Sequence, residues 1–254
     1  MVHPTVIIHP KAKIGAGCEI GPYCVIGEHV TLGDKCKLHS HVVIDGHTTL
    51  GKENEIFPFA SIGLKTQDLK WKGGVTRTKI GDGNTFREYV SIHSATGDGE
   101  ATTVGSHNHI LAYSHIAHNC ALGNHIIMSN AATLGGHVVV EDYAVISISA
   151  VHQFCRVGKM SMIGGCSKIV QDVPPFMIVD GNPGETRTIN KVGMERNGVP
   201  EETQAALRQA YKILFREGLT IPNALLKIES ELPSLPEVKH LVQFVRASER
   251  GISK

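Results

Sequence analysis

The sequence predicts a mainly β protein, a parallel β-helix of six-residue repeats followed by a C-terminal α-helical domain, and three observations predict it. An aliphatic residue returns at every sixth position through Ile8, Ile14, Ile20, Ile26, Leu32, Leu38, Ile44, Leu50, Ile56 and Ile62. The fourth residue after most of these is small or β-branched, as at Ala12, Cys18, Cys24, Val30, Cys36, Val42, Thr48 and Ala60. Beyond a proline-rich break the apolar residues take up helical spacing instead.

A period of six fits neither the 3.6 residues of a helical turn nor strand alternation, so six is the length of a structural unit. Three units per coil make a triangular prism, with the aliphatic residues at its axis and the small residues filling its corners. Glycine directly after the aliphatic residue, as at Gly15, Gly21, Gly27, Gly33, Gly51 and Gly63, reads as part of a tight corner.

Taken in order, the repeats run unbroken to Gly63. An insertion near 64–79 loops out before Ile80, Phe86 and Ile92 resume the count, and a second near 94–103 precedes the series from Val104 to Val140. The set Val145, Val151, Val157, Ile163 and Ile169 keeps the period one residue early, which places a shortened coil just after Val140. These 25 units make about eight coils. The segment QDVPPFMIVDGNPG, from Gln171, is expected to end the repeat, so the solenoid should span 1–185 and the helical domain 186–254.

In that second domain helices are expected over Pro200–Gly218, Thr220–Leu232 and Pro236–Arg250. Leu207, Tyr211, Leu214 and Phe215 share one face. Glu201 and Glu202 after Pro200 suit a first turn, and Thr220 suits an N-cap. Such helices would cap the open end of the prism. Their ten basic and eight acidic residues from Lys191 onward also fit a docking surface for an acidic carrier protein.

A net charge of +1 gives no global attraction to nucleic acid or an anionic membrane. No apolar run approaches the ~20 residues of a membrane span, and the first residues lack the pattern of a signal peptide. A cytoplasmic location is expected. Cys18, Cys24, Cys36, Cys120 and Cys155 fall at the small position and Cys166 does not, so most read as buried structural thiols.

The fifteen histidines are the unusual feature, and none occupies an axis or small-residue position in this register. All are expected on the outside of the prism or at its corners. A prism has no concave pocket, so outward residues line a site only where two prisms pack together, which implies an oligomer. His115 and His118 flank the inward Ile116.

Several motifs carry a specific resemblance: SIG…QDLK (Ser61 to Lys70), IGDGNTFREYVSIH (Ile80 to His93), HIAHNC (His115 to Cys120), GGHV (Gly135 to Val138), AVHQFC (Ala150 to Cys155), QDVPP (Gln171 to Pro175) and GNP (Gly181 to Pro183). From end to end the chain resembles the bacterial UDP-N-acetylglucosamine O-acyltransferases that open lipid A biosynthesis, within the left-handed β-helix acyltransferase superfamily. The left hand is taken from that resemblance, since parallel crossovers are otherwise nearly always right-handed. Related N-acyltransferases carry an additional N-terminal domain, for which repeats starting at residue 8 leave no room.

The resemblance implies that His118 is the general base, taking the proton of the sugar 3-hydroxyl as that oxygen attacks an acyl-carrier-protein thioester. It implies that the Gly136 N–H faces the developing oxyanion. Asp68 and Lys70 match nucleotide-sugar and acyl-donor contacts. His115, His137, His152, Gln153, Asn190 and Arg196 match residues that line the cleft or hold the uridine diphosphate. Gly165 stands where the family measures acyl length, and a glycine there leaves room for a long 3-hydroxyacyl chain. The implied partners are the loaded carrier protein, UDP-N-acetylglucosamine and the other chains of a homotrimer; no cofactor and no metal is implied.

Two departures stand out. Asn119 replaces the acid that the family places after its catalytic histidine, so either the amide suffices or another acid substitutes. IHSAT (Ile92 to Thr96) replaces IHRGT, removing an arginine and a glycine from a carrier-facing loop. Other readings weighed are N-acyl transfer to a 3-amino UDP-sugar, a zinc β-helix lyase and a non-catalytic nucleotide-sugar-binding scaffold. The lyase pattern needs two histidines five apart, a spacing that no pair here has.

Overall fold

The computed structural model describes all 254 residues, Met1–Lys254. Its repeating element is a strand of mostly two residues that ends on an aliphatic position of the repeat, beginning with Ile7–Ile8, Lys13–Ile14 and Glu19–Ile20. These three strands open the first, second and third faces of a prism, sheets of nine, eight and ten strands that successive coils extend in turn. The pairing is parallel and keeps inward residues stacked: Ile62 pairs with Ile92, Ile92 with Ile116, Ile116 with Leu134 and Leu134 with Val151. All five are at most 3% exposed.

The corners are made differently from the sequence expectation. Seventeen residues other than glycine have φ between 53° and 65°, and each is the third residue after an inward one, Tyr23, Lys35, His41 and Asn119 among them. A left-handed residue costs roughly 1–2 kcal/mol, while burying one Ile or Leu contributes about 1.5–3 kcal/mol. A unit is therefore favourable only when its neighbours bury that side chain, which is why the element exists as a stack. Glycine after the aliphatic residue serves stacking rather than turning: a Cβ on Gly33 would stand 2.5 Å from the Gly51 carbonyl carbon of the next coil.

Three further boundaries move. Met128 pairs with Ile146, eighteen residues on, whereas Leu134 pairs with Val151, seventeen on. Ile146 is buried and Val145 faces out, so the residue is lost between Ile146 and Val151, one unit later than the spacing implied. Adjacent Val145 and Ile146 are both aliphatic, and periodicity alone does not choose between them. Nor does the prism end at Ile169. Val173 bridges Val157, Met177–Asp180 pairs parallel with Met162–Ile163, and Glu185–Ile189 folds back antiparallel on it. Pro174 and Pro175 sit between these segments, while Val173 and Val179 still bury completely.

Residues 186–189 thus belong to a strand, and the helices are α1 (Lys191–Arg196), α2 (Glu201–Phe215), α3 (Ile221–Glu231) and α4 (Pro236–Arg246). The six-residue α1 is too short to show helical periodicity and was not expected. Thr220 does cap α3 by position, although its hydroxyl makes no capping bond. Leu207, Leu214, Leu225 and Leu241 form a second core together with Met160, Phe176 and Met177 from the last coils. The cap is therefore seated on the prism end by apolar burial. Five cysteines are buried and Cys166 is exposed, as their positions implied.

Candidate active site

Both insertions leave the prism at the same edge, between the first and second faces. The first joins Ser61–Leu64 to Arg77–Ile80, and the second joins Ser91–His93 to Ala101–Val104. Thr48 pairs with Thr78 and Thr78 with Thr102, steps of 30 and 24 residues in place of eighteen, so the coils continue beneath both loops. The next three coils place His118–Asn119, Gly136–His137 and Gln153–Phe154 on that same edge. Coil stacking thus lines up residues far apart in sequence, because adjacent strands lie only about 4.8 Å apart.

His118 lies at the centre, with its side chain 14% exposed. Its Nδ1 is 3.0 Å from Asn119 Oδ1. Its Nε2 is 3.7 Å from Asp68 Oδ2, too long for a hydrogen bond. The ring lies directly over Gly136, where any Cβ would collide with its Cε1 and Nε2 atoms. The Gly136 N–H makes no hydrogen bond within the chain. Asp68 is held by its own loop, its Oδ1 accepting from the Lys70 N–H at 2.9 Å.

A carboxylate from the second insertion reaches the Asn119 side chain. Asn119 Nδ2 donates to Glu100 Oε2 at 2.7 Å, and Glu100 comes from the second insertion. The Asn119 bond, followed by one from the Gly97 N–H, holds the Glu100 carboxyl below the usual carboxylate range. Thr96 N–H donates to Asn119 Oδ1 at 3.0 Å.

Three other imidazoles surround this centre. Burial pushes His115 down to about 4, and its Nδ1 is 2.8 Å from Ser91 Oγ. His93 is only 8% exposed, 5.3 Å from His115 between ring centroids, and also lowered by burial. It faces away from the axis, as expected of every histidine, yet neighbouring chain covers it. His137 packs edge-on against His118 at 5.2 Å and is lowered by burial and then by His118.

Farther along the edge, His137, Phe154, Arg156, Glu249 and Arg250 line a groove of about 620 Å³ that runs toward the cap. His152 and Gln153 are exposed beside it, with His152 Nδ1 3.4 Å from Arg250 Nη2. Lys70 is exposed on its loop.

Three residues from the resemblance do not join the cluster. Asn190 is 4% exposed and committed locally: its Oδ1 caps α1 through the Gly193 N–H, and its Nδ2 donates to the Met160 carbonyl. Arg196 is exposed at the end of α1. Gly165 lies on a different edge, between the third and first faces, exposed and with nothing within 4 Å of a Cβ built on it. Residues 100, 96 and 91 were missed because the insertions and outward strand positions carry no periodic signal.

This fold and site define a left-handed β-helix acyltransferase. Residues 1–34 and 11–46 match the bacterial transferase hexapeptide model, and residues 172–253 match domain 2 of the UDP-N-acetylglucosamine O-acyltransferase model. Over its full length the chain is 45% identical to LpxA from Acinetobacter baumannii, with a TM-score of 0.96 and 99% of that chain covered. It is 39% identical to LpxA, a UDP-N-acetylglucosamine acyltransferase, from Bacteroides fragilis and 37% to the Arabidopsis enzyme; TM-scores are 0.97 and 0.88, and each pair of chains is wholly covered. The chain belongs to the UDP-N-acetylglucosamine O-acyltransferase family.

Proposed function

We propose that the protein transfers an acyl chain from an acyl carrier protein thioester to the 3-hydroxyl of UDP-N-acetylglucosamine, in the cytoplasm, as an early step of lipid A biosynthesis. The observation that carries this reading is the His118 ring, anchored at Nδ1 with Nε2 above Gly136 and opposite Asp68. A hydroxyl that approaches within hydrogen-bond reach of Nε2, beside Asp68, gives its proton to Nε2 as its oxygen bonds to the thioester carbon. The carbonyl π electrons move to oxygen, and the unpaired Gly136 N–H supports a role in holding that charge. The C–S bond then breaks, and imidazolium returns the proton to the departing thiolate. Glycine at 136 is required because the ring occupies the space of any side chain.

Asp68 and Lys70 are read as substrate contacts on the loop above the base, with His115, His137, His152 and Gln153 lining the cleft below. Asn190 and Arg196, placed elsewhere on this chain, reach a nucleotide only if it extends beyond this edge or is shared with another copy. The position of Gly165 on another edge supports the same assembly: it measures acyl length only for a neighbouring chain, consistent with a homotrimer. With no side chain there, a long 3-hydroxyacyl donor is accepted.

The deciding experiment offers the purified protein a mixture of hydroxyacyl carrier proteins with UDP-N-acetylglucosamine or its 3-amino analogue and identifies products by mass spectrometry. The expected product is the 3-O-acyl sugar with a long chain. Exclusive N-acylation overturns the acceptor, and a Gly165→Met enzyme that still prefers the long donor overturns the ruler.

A further inference from the structure

We infer that Glu100 is the positioning acid of this site: through the Asn119 side-chain amide it holds His118 with Nδ1–H engaged and Nε2 free to accept a proton. The inference rests on the reading of His118 as general base and adds a residue to it, one from an insertion that carries no repeat.

An asparagine amide can be placed either way round, and so by itself selects no histidine tautomer. Here both of its ends are decided by groups with a single role. The Thr96 N–H can only donate, and it lies 3.0 Å from one amide atom, which must be the oxygen. The Glu100 carboxylate, ionised, can only accept, and it lies 2.7 Å from the other, which must be the NH₂ group. The oxygen is therefore the atom 3.0 Å from His118 Nδ1. That nitrogen has to donate, and in a neutral ring the lone pair is left on Nε2, the atom over Gly136 and facing Asp68.

Each member of the chain is itself held. Glu100 Oε2 also accepts from the Gly97 N–H at 2.9 Å, which closes the turn before it. Asn119 sits in the left-handed corner conformation, φ 60°, which asparagine adopts more readily than most residues, and its N–H donates to Thr102 Oγ1 at 2.8 Å. Asp98, the other acid of that insertion, is occupied elsewhere with the Val75 N–H. When His118 takes up a proton, the amide dipole between the two charges is oriented favourably for both, its oxygen toward imidazolium and its NH₂ toward carboxylate.

The test compares kcat and KM for Glu100→Gln, Asn119→Asp and the double variant in the full-length protein, with melting temperatures as a check on folding. Glu100→Gln, which can turn its own NH₂ group toward Asn119, is expected to lower kcat roughly ten- to hundredfold with KM little changed. Asn119→Asp alone is expected to be similarly poor, because two carboxylates then face each other. The double variant places an acid directly on Nδ1, removes that repulsion, and is expected to recover to within a few-fold of the parent enzyme.

An exposed glutamate that only closes the Gly97 turn would give no such recovery. A Glu100→Gln enzyme with unchanged kcat, or a double variant no better than the single ones, overturns the inference. Nitrogen NMR of the His118 ring supplies a second reading: Nδ1–H should predominate in the parent, and the same tautomer balance in Glu100→Gln also overturns it. A His118→Ala enzyme at full rate would instead overturn the underlying assignment of the base, a separate failure.

Discussion

The edge between the third and first faces carries Tyr23, His41, Phe59, Tyr89 and Tyr113 at the left-handed corner position, each ring 4.8–5.0 Å from the next. The edge between the first and second faces carries Asn119, His137 and Phe154 at the same position, in the same backbone conformation. One edge carries five successive rings up to Tyr113. The other is interrupted by two insertions that bring Asp68 beside the imidazole of His118 and Glu100 onto the Asn119 amide. The corner backbone asks only for φ near 60°, so it leaves side-chain chemistry open, and the polar cluster forms where the repeat is broken.

The largest effect should separate the two edges outright. Replacing His118 by alanine is expected to reduce turnover by about 10²–10⁴-fold with the melting temperature unchanged, whereas Tyr113→Ala should leave turnover within a few-fold. Similar losses in both would erase the distinction. The axis, by contrast, serves both edges. Phe86 is fully buried, and Phe86→Ala is expected to cost about 3–5 kcal/mol in denaturant unfolding.

Gly136→Ala follows, with about a hundredfold loss of kcat, since its methyl displaces the His118 ring. An unchanged rate would mean that the ring need not sit where it does. The smallest effect is on pH dependence. His115 titrates at about 4 when folded against an ordinary 6.5, so between these values the unfolded chain binds a proton that the folded chain does not. Stability should therefore fall as pH drops through that window and be unaffected above it. His93 and His137, both shifted down, add to the same fall. Urea midpoints at about pH 7 and about pH 5 check this, and His115→Gln should flatten the difference.

Much of the prism was legible from the chain because each axis residue reports its own burial, every sixth position in turn. Where that report is ambiguous the pattern misleads: adjacent Val145 and Ile146 are equally aliphatic, and two prolines hide the coil formed by Val173 and Val179. His118 was singled out because its motif is specific. Glu100 was not, because a loop glutamate carries no periodic mark and differs in nothing visible from Asp98. Asn190 was singled out only by resemblance, and within one chain its side chain caps α1 away from the His118 cluster.

Alternation of greasy and small positions is a property that each six-residue unit holds alone, so the prism and the outward placement of imidazoles follow from the pattern along the chain. The meeting of Asp68, Glu100, His118 and Gly136 is a set of distances between units fifty to seventy residues apart at the extremes. Those distances come into being only when the coils stack at strand spacing and both insertions emerge on one edge. Burial is felt residue by residue, whereas a hydrogen-bonded relay exists only between partners that folding has brought together.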